Sequence, residues 1–398
     1  MAVRWRPAGC KLRVRYDGAA LSVRVRIELL QSALRRAIVT AAMANATIID
    51  VAKHAGVSIK TVSRVINNVK TVKPQIRERV TRAIEKLDYH PNPSARGLGG
   101  NRSYLVGLLY DVSCGYYATS VLAGATERSR AAKYQIVMQS CDYNSPTLAD
   151  DIARNIRQSR VDGVMITPPL SDLSAVSDAL ESHGIPFVRI APGKHADTDR
   201  SVFTNDRESC ASMTEQLVSL GHQRISFIIG NPDHAAVMDR YRGYLDGLHA
   251  CALKLDKSLV AQGYNSHASG VQCARKLLNV APAKRPTAIF ASNDEMAAGA
   301  LSVAHSMGLG VPEDVSVVGF DDAPLASQVW PALTTIRQPI SDMAAEAASL
   351  LLSTLRGEPP ENSKHMLPST LTFRQSTGPA PNRARPQAGG EGRATKHA

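Results

Sequence analysis

The sequence lacks the segments that would place the chain in a membrane or hold it together with disulfides. No run of eighteen or more apolar residues occurs, so the sequence predicts no membrane-spanning helix. The six cysteines are scattered over 398 residues without a Cys-x-x-Cys pair, which indicates free thiols rather than a disulfide framework or a zinc site. We therefore expect a chain without metal or cofactor in a reducing, cytoplasmic environment.

The motifs of common enzyme classes are also missing. Residues 108–115, which follow the first predicted strand of the chain's main body, contain no G-x-G-x-x-G. The sequence has no P-loop, no H-E-x-x-H and no G-x-S-x-G. Asp321 and Asp322 are neighbouring carboxylates, but adjacent residues rarely converge on one bond. The sequence therefore predicts a protein that is not an enzyme.

Positive charge is plentiful but unevenly distributed. The net charge is +12. Residues 46–103 carry 11 Lys and Arg against 4 Asp and Glu, whereas residues 104–377 carry 23 against 28. A basic front on a slightly acidic body is typical of a nucleic-acid-binding head joined to a second domain.

Both ends of the chain are expected to lie outside the folded domains. Residues 1–45 form an Arg-rich, acid-poor extension that suits a basic DNA-binding arm, a transit peptide or a mis-called start upstream of Met43. The extension shows no secretory pattern, so export is not predicted. Residues 378–398 are rich in Pro, Gly, Ala and Arg, which predicts a disordered tail without the heptads of a tetramerising helix.

Residues 46–90 carry the pattern of a three-helix DNA-binding head. Thr47 and Asp50 have the spacing of a capping box that starts a first helix. Gly56 then interrupts the helix, and Ser58 is a good N-cap for a second one at 59–66. Two short helices joined by a glycine-containing turn form a helix-turn-helix, whose second helix fits the major groove.

A third helix is predicted after Pro74, a residue favoured at the first position of a helix. Its apolar residues recur with helical spacing and form one stripe that can pack over the first two helices. The stripe consists of Ile76, Val80, Ile84 and Leu87.

The head resembles that of the lactose-repressor (LacI/GalR) family of transcription regulators. Residues 47–67 read T-I-I-D-V-A-K-H-A-G-V-S-I-K-T-V-S-R-V-I-N and fill almost every position of the family pattern D-V-A-x-x-A-G-V-S-x-x-T-V-S-R-V-x-N. Lys73 departs from the Ser that caps the third helix in many members. The resemblance implies a homodimeric repressor that binds a palindromic operator in double-stranded DNA.

The resemblance also assigns DNA contacts within the head. It places Ile59, Lys60 and Arg64 on or near base edges, where Lys and Arg can donate to guanine. Residues near phosphates fix the position of the protein along the DNA without recognising the base sequence. The hydroxyl side chains among them can also cap helices. These are Thr47, Ser58, Thr61, Ser63 and Asn67.

Residues 91–103 are predicted to be a hinge. Two prolines mark the boundary, and the segment that follows is too short to form a stable helix alone. It resembles the family's hinge helix, which orders when two subunits occupy one operator. In that reading Leu98 is the apolar wedge in the minor groove, Ala95 allows close helix approach and Arg96 contacts the backbone or groove.

The body, residues 104–377, alternates strand and helix signals. Regular alternation predicts parallel sheets covered on both faces, and the length favours two doubly wound α/β subdomains with a cleft between them. Apolar runs occur at 104–110, 135–139, 163–167, 186–190, 224–229, 287–291 and 316–320, with amphipathic stretches such as 121–133, 209–220 and 295–307 between them.

The family resemblance continues through the body and implies the fold of periplasmic sugar-binding proteins, serving effector binding and dimerisation. It rests on V-D-G-V at 161–164, L-G-H-Q-R-I at 220–225, R-Y-R-G-Y at 240–244, S-N-D-E-M-A-A-G-A-L at 292–301, V-G-F-D-D at 318–322 and P-A-L-T-T-I-R-Q-P at 331–339. His222, within the second motif, is interpreted as a structural residue.

An effector in such a cleft needs bidentate polar groups at strand ends and an aromatic face. The motifs assign Arg240 to hydroxyls or a carboxylate and Asp294 to two ligand hydroxyls, although Asp294 could simply cap its helix. Tyr116 and Tyr117 are placed to stack on the ligand. The remaining candidates are Asn205, Asp206, Tyr264 and Asn265.

The effector's identity stays open in the sequence. The resemblance favours a carbohydrate or a sugar-derived compound, but Ala191 and Pro192 replace an acidic or aromatic contact that many relatives carry. A purine- or nucleoside-responsive regulator is one alternative. A solute-binding protein without DNA function is another, and the basic head argues against it.

Overall fold

The computed structural model describes residues 46–66, 69, 71–89, 102–112, 115–193, 199–358 and 361–381. The chain divides into two compact units between residues 101 and 102. The predicted extension, most of the predicted hinge and most of the predicted tail lie outside the described residues. So do four of the predicted DNA contacts, namely Asn67, Ala95, Arg96 and Leu98.

The described part of the first unit is the predicted head. Its helices are α1 (Ile48–Ala55), α2 (Ile59–Ile66) and α3 (Pro74–Lys86). The capping box is confirmed, because Thr47 Oγ1 accepts from Asp50 N at 3.3 Å while Thr47 N donates to the Asp50 carboxylate at 2.9 Å. Gly56 ends α1 with φ 60, a left-handed conformation that glycine adopts without steric cost.

The head's core forms where the three helices meet. Val51, Val62 and Val80, one from each helix, are fully buried, because the apolar residues of each helix fall on one face. The predicted stripe of α3 packs against this core as expected. Lys73 precedes α3 without a side-chain capping bond.

The second unit is the body, with strands β1 (Leu105–Asp111), β2 (Gln135–Cys141), β3 (Gly163–Ile166), β4 (Phe187–Ile190), β5 (Ser201–Phe203), β6 (Ile225–Ile229), β7 (Val260–Gln262), β8 (Ala288–Ala291), β9 (Ser316–Asp321), β10 (Thr334–Arg337), β11 (Lys364–Met366) and β12 (Thr370–Thr372). Its helices are α4 (Gly115–Ala131), α5 (Leu148–Ser159), α6 (Ser174–Ser182), α7 (Asp206–Ser219), α8 (Ala236–Ala250), α9 (His267–Leu278), α10 (Asp294–Ser306), α11 (Pro324–Gln328) and α12 (Ile340–Arg356). Short 3-10 turns lie at Leu170–Asp172, Lys257–Leu259 and Pro282–Lys284.

Two six-stranded sheets define two subdomains, as predicted. The first sheet has the order β11-β5-β4-β3-β1-β2 and is parallel throughout. The second has the order β12-β10-β9-β8-β6-β7, with only β12 antiparallel to its neighbour. Strands such as β3 and β8 are buried along their whole length, which a parallel sheet covered by helices on both faces requires.

The chain passes between the two subdomains three times. It leaves the first sheet after β5, returns after β10 so that α12 packs on the first sheet, and crosses again between β11 and β12. Two of these crossings touch, because Asn205 Oδ1 accepts from Ser369 N at 2.8 Å.

The predicted strands and helices are present, with some differences at their ends. Every predicted apolar run is a strand within two residues of its expected bounds. The helix predicted from residue 121 begins at Gly115. The prediction missed its first turns because their sequence lacks an amphipathic pattern. The body also reaches further than residue 377, since Ala380 N donates to the Leu220 carbonyl at 2.8 Å.

His222 is structural, as interpreted from the sequence. It is fully buried, with Nδ1 3.0 Å from Thr287 Oγ1 and Nε2 3.1 Å from the Gly378 carbonyl. This contact also corrects the predicted start of the tail, because Gly378 is part of the packed body. Among the described residues, no helix combines the length and apolar character needed to cross a bilayer.

Candidate functional site

The outer face of α2 is the candidate DNA-reading surface. Val62 and Val65 point into the head's core, whereas Lys60 and Arg64, four residues apart, lie exposed on the other side of the helix. Ile59, at the first turn, is 48% exposed although it is strongly apolar. Because Lys60 and Arg64 are both exposed, their charged groups can reach an anionic partner.

The predicted phosphate-side residues surround the start of α2. Ser58 Oγ accepts from Thr61 N at 3.2 Å and lies 2.9 Å from Thr61 Oγ1, so Ser58 caps the helix. Ser58 is exposed, and Thr61 and Ser63 are half-buried. Thr47 is exposed at the start of α1, where the first backbone amides of the helix form a favourable environment for anions.

Two arginines of α3 have a structural role that the sequence did not reveal. Arg79 Nη2 donates to the Ala55 carbonyl at 2.7 Å and to the Gly56 carbonyl at 3.1 Å. These bonds satisfy carbonyl groups at the C-terminal end of α1, which the helix itself leaves without a partner. Arg77 Nη2 donates to the Val69 carbonyl at 2.8 Å. These cations therefore shape the loops around α2, although composition alone suggested a general basic surface.

Arg240 is the centre of the candidate effector cleft. It lies on α8 with its side chain 11% exposed. Nε donates to Asp206 Oδ2 at 2.9 Å, Nη1 donates to the Ser292 carbonyl at 2.6 Å, and Nη1 lies 3.5 Å from Asp321 Oδ1. Its guanidinium carbon is 3.7 Å from the centroid of the Phe320 ring. These contacts compensate for burying a cation and leave little of the guanidinium open.

Asp321 ends β9 beside Arg240. Its Oδ1 accepts from Gln338 Nε2 at 2.9 Å, which connects the strand end to a crossing between subdomains. Burial raises the pKa of Asp321 to about 6, and Arg240 only partly offsets that effect. This carboxyl group therefore loses its proton at a higher pH than a solvent-exposed aspartate does.

Asp294 is buried below the cleft rather than open to it. The carboxyl group is 1% exposed, with Oδ1 accepting from Thr335 Oγ1 at 2.6 Å and Oδ2 from Ala323 N at 2.7 Å. Burial, with Asp321 nearby, raises its pKa well above the usual range. Asn293, not Asp294, caps α10 through a 3.0 Å bond from Met296 N. The cap interpretation of Asp294 is therefore wrong, whereas its assignment to the effector stays a prediction.

The loop after β9 is clamped by two arginines. Asp322 Oδ2 accepts from Arg337 Nε, and its Oδ1 accepts from Arg374 Nη2, both at 2.6 Å. Asp321 and Asp322 have φ of 109 and 55, in the left-handed region that non-glycine residues seldom adopt. Strained backbone of this kind persists where surrounding contacts hold it, and it often lies at binding sites.

Asn205 and Asp206 position other groups instead of facing an open cleft. Asn205 Oδ1 accepts from Ser369 N and, at 3.1 Å, from Ser209 Oγ. Asp206 is 8% exposed and bonds to Arg240 and to Thr204 Oγ1. Asn205 therefore fixes the crossing after β5, and Asp206 holds Arg240 in place.

Asn265 has a similar positioning role at the end of β7. Its Oδ1 accepts from Asn231 N at 3.1 Å, and its carbonyl accepts from Asn293 Nδ2 at 3.0 Å. The loops after three neighbouring strands are thereby joined. Tyr264, the preceding residue, is 60% exposed, with its backbone N bonded to Ser269 Oγ at 3.0 Å.

The two candidate tyrosines of α4 separate. Tyr116 is 36% exposed, and the burial of the rest of its side chain raises the pKa of its phenol. A hydrogen bond to Ser120 opposes this rise, and the Asp321 carboxylate of the other subdomain adds to it. Tyr117 is partly buried and packs against the apolar core of the first subdomain, and its predicted contact with the effector stays a prediction. Tyr116 is therefore the ring of this pair that can stack on a ligand.

His234 is a cleft residue that sequence reasoning missed. It lies just before α8, and burial lowers its pKa to about 4, with a further contribution from Arg240. Asp111, at the end of β1 in the first subdomain, acts on its pKa in the opposite direction. Only the position of His234 six residues before Arg240 could have suggested this role.

The two subdomains also touch directly across the cleft. Tyr143 Oη donates to Asp233 Oδ2 at 3.2 Å and accepts from Asn231 Nδ2 at 3.3 Å. Asp172 Oδ2 accepts from Ala235 N at 3.3 Å. Both contacts join loops at the carboxyl ends of strands, the edge where ligands bind in open α/β sheets.

Comparison with known proteins gives matches over both units. The profile described as bacterial regulatory proteins, lacI family, matches residues 47–92, and that of the periplasmic binding protein-like domain matches residues 214–377. The HTH-type transcriptional regulator DegA of Bacillus subtilis (strain 168) is 34% identical over 336 residues, 84% of this chain and 98% of DegA.

Solved structures give the same result. The lac repressor dimer bound to operator and the anti-inducer ONPF matches with a TM-score of 0.73 and 28% identity, over 84% of this chain and 100% of that one. The transcriptional regulator CelR in complex with cellobiose matches with a TM-score of 0.64 and 31% identity, over 83% and 99% of the two chains.

Proposed function

The chain belongs to the lacI family of bacterial regulatory proteins, and from this we propose that it is a repressor controlled by a small effector. The protein is a DNA-binding transcription regulator. In the proposed mechanism a homodimer binds a palindromic operator, and an effector in the cleft of each body changes the affinity for that operator.

The exposed face of α2 is the observation that carries the DNA-binding part of the proposal. Lys60 and Arg64 project from one side of a helix whose other side is locked into the core. A Lys or Arg there can donate to guanine, and the exposed Ile59 can contact a thymine methyl group. We assign base contacts to these three residues and phosphate contacts to Thr47, Ser58, Thr61 and Ser63.

The cleft supports the effector part of the proposal. CelR was solved with cellobiose and the lac repressor with an anti-inducer, both with folds like this one. We propose that the effector of this chain lies against Arg240, Tyr116, His234 and Asp321. In this arrangement Asp206 holds Arg240, and Asn205, Asn265 and Asp294 fix the loops around it.

Regulation then follows from linkage between two arrangements of the body. An effector shifts operator affinity only through its different affinities for those arrangements, whichever of the two it favours. The three crossings between subdomains connect the cleft to the relative position of the two sheets. Release from the operator by a carbohydrate is the mode we propose.

We further propose that the chain performs no chemical reaction and acts in the bacterial cytoplasm, where operator DNA is found. The relatives support the first point, since DegA is named as a transcriptional regulator.

The decisive experiment is a titration of the full chain onto DNA from upstream of its own and neighbouring genes. Fluorescence anisotropy at fixed salt gives the affinity, because phosphate contacts make DNA binding steeply salt-dependent. Each titration is repeated with sugars, sugar phosphates and purines. Tight binding to one palindromic site, weakened by one carbohydrate, is expected.

Other outcomes would change specific parts of the proposal. Tighter DNA binding in the presence of a purine would retain the repressor but replace the effector class. Failure to bind any DNA, with a sugar still bound, would favour the solute-binding alternative. An Arg64→Ala variant that bound the palindrome as tightly as the wild type would remove the assigned base contact.

A further inference from the structure

Helix α12 runs between the two edges of the first sheet. It begins at Ile340, directly after the crossing from the second subdomain, and ends at Arg356. Its 17 residues span about 25 Å, because an α-helix rises 1.5 Å per residue. The base of the hinge, which we define as residues 102–104, directly precedes β1 and therefore lies at the edge of the sheet opposite the cleft.

The first turn of α12 is fastened to both walls of the cleft. Gln338, two residues before the helix, is buried, and its Nε2 donates to Asp321 Oδ1 of the second subdomain at 2.9 Å. Ser341 contacts α4 of the first subdomain, the helix that carries Tyr116. A Cβ added to Gly124 of α4 would lie 2.0 Å from the Ser341 carbonyl oxygen, so the two helices meet backbone to backbone. A change in the relative position of the two walls therefore acts on the start of α12.

The last turn of α12 holds the base of the hinge. Arg102 Nη2 donates to the Leu355 carbonyl, which is one of the last four carbonyls that a helix leaves without a partner of its own. A cation at this position also interacts favourably with the negative end of the helix dipole. The side chain of Arg102 thus follows the C-terminal end of α12.

The next two residues are supported by the first sheet instead. Ser103 N and Oγ donate to Asp162 Oδ1 at 2.8 and 2.9 Å, and Tyr104 N donates to Asp162 Oδ2 at 2.9 Å. Asp162 directly precedes β3, so these bonds fix both residues to the sheet. Tyr104 has φ 60, a left-handed conformation that a non-glycine residue keeps only where its surroundings hold it. A shift of α12 against the sheet therefore turns the chain at residue 102.

The buried face of α12 is suited to such a shift. Over its first half the helix presents Met343, Ala344, Ala347 and Ala348 to the core of the first subdomain. Three of these four side chains are single methyl groups, which protrude little from the helix. Packed helices change position by sliding a short distance past their neighbours, and small side chains oppose that movement least.

We propose that α12 carries the state of the effector cleft to the base of the hinge, with Gln338 as the positioning residue at one end and Arg102 at the other. This inference rests on the proposed function, because it connects the effector and the operator of that function. It adds a route that lies within one chain and does not depend on which effector binds.

The test is a double-mutant cycle on the full chain, without DNA and without an effector. Gln338→Met keeps the length of the side chain and cannot donate to Asp321, whereas Arg102→Ala removes the bond to α12. Hydrogen exchange measured by mass spectrometry follows peptides that include Ser103 and Tyr104. Gln338→Met should speed their exchange about fivefold, at the lower end of typical coupling between sites. In the Arg102→Ala background the same substitution should have little effect.

Two matched variants serve as controls. Gln262→Met removes a glutamine that bonds the Gly230 and Gly263 carbonyls at another strand end of the second subdomain, away from α12. Its effect on the hinge-base peptides should be absent. Arg356→Ala removes a cation next to Leu355 that bonds Ser353 and Glu358 instead of the hinge. Gln338→Met should retain its full effect in the Arg356→Ala background.

Each outcome decides the inference. Distant sites without coupling combine within about twofold, so an effect of Gln338→Met that is more than about twofold smaller in Arg102→Ala supports the route. An effect of similar size in both backgrounds would overturn it, as would no effect of Gln338→Met in the wild type. If Arg102→Ala did not fold, equal exchange in Gln338→Met and Gln262→Met would still count against the route. Failure to bind operator DNA would count against the proposed function alone, because this measurement contains no DNA.

Discussion

Tyr143 and Asp233 belong to different subdomains, and the phenol oxygen of one lies 3.2 Å from the carboxylate of the other. Asn231 donates to the same phenol at 3.3 Å. A single side chain of the first subdomain thus binds two residues of the loop that leads into α8. That helix carries Arg240, so this contact lies beside the groups proposed to hold the effector.

Tyr143→Phe should weaken effector binding, although Tyr143 is not among the residues proposed to contact the effector. The variant loses the two hydrogen bonds that Tyr143 makes across the cleft, so this arrangement of the subdomains becomes less stable by about 0.5–1.5 kcal/mol. Effector affinity should fall about two- to tenfold, as measured by calorimetry. Asp233→Asn keeps an acceptor for the phenol and should lose less. Unchanged affinity in Tyr143→Phe would show that this contact does not stabilise the effector-bound state.

Arg64→Ala and Lys60→Ala should reduce binding to the cognate palindrome more than binding to unrelated DNA. Each removes a proposed contact to a base edge, which contributes about 1–3 kcal/mol of discrimination. Anisotropy titrations on both DNAs at one salt concentration give the specificity ratio. Lys254→Ala, which removes an exposed cation of the body, controls for net charge and should leave the ratio unchanged. Equal losses on both DNAs would place Arg64 and Lys60 on phosphates instead.

Arg79→Ala should loosen the head itself. The guanidinium bonds to the Ala55 and Gly56 carbonyls, and their loss should destabilise the head by about 1–3 kcal/mol. Hydrogen exchange measured by mass spectrometry should show faster exchange in peptides from α1 and α2, with weaker operator binding. Arg82→Ala is the matched control, because Arg82 pairs with Glu78 at the exposed surface of the same helix, where ion pairs contribute little. If peptides from α1 and α2 exchanged hydrogen at the same rate in both variants, this role for Arg79 would be contradicted.

The stability of the body should depend on pH through Asp321. Its pKa is about 6 in the folded chain and lower in the unfolded chain, so the folded state binds the proton more tightly. The stabilising contribution is fully present below about pH 4 and is lost as the pH rises through about 6. Asp321→Asn should therefore gain thermal stability over the wild type at pH 8, and this gain should shrink as the pH falls from 6 toward 4.

The titration of His234 changes the stability with pH in the opposite direction. The effect of Asp321 is therefore taken from the difference in stability between the wild type and Asp321→Asn. Its pKa is lowered to about 4, so its contribution is present above about pH 6.5 and is lost as the pH falls toward 4. Thermal unfolding of wild type and Asp321→Asn across this range removes the shared histidine effect. A constant difference between the two proteins at all pH values would contradict the assignment to Asp321.

Local sequence signals predicted the head well. The Thr47 capping box and the left-handed Gly56 each depend on residues within four positions, the α3 stripe repeats every three or four residues, and all three are present. The alternation of apolar runs likewise predicted two sheets in the body. Short strands such as β5 and β7, with three residues each, are too brief to give a periodic pattern.

The cleft was harder to predict because its contacts join distant parts of the chain. The motifs identified Arg240, but nothing in them indicates that Asp206 and Asp321 occupy its guanidinium. Asp294 and Tyr117 were predicted to contact the effector from their positions after strands, and the sequence did not show that Asp294 is buried or that Tyr117 packs partly against the core. Side-chain direction depends on tertiary packing, which spacing along the chain does not encode.

The three crossings between subdomains have a consequence for how the protein is made. The first sheet lacks β11 and the α12 helix that covers it until residues 340–366 have left the ribosome. Domains usually fold in order as they emerge, but here the first subdomain must wait for nearly the whole chain. Its apolar surface is exposed during that interval, so nascent chains of this protein should engage chaperones and should be prone to aggregation when translation stops after β10.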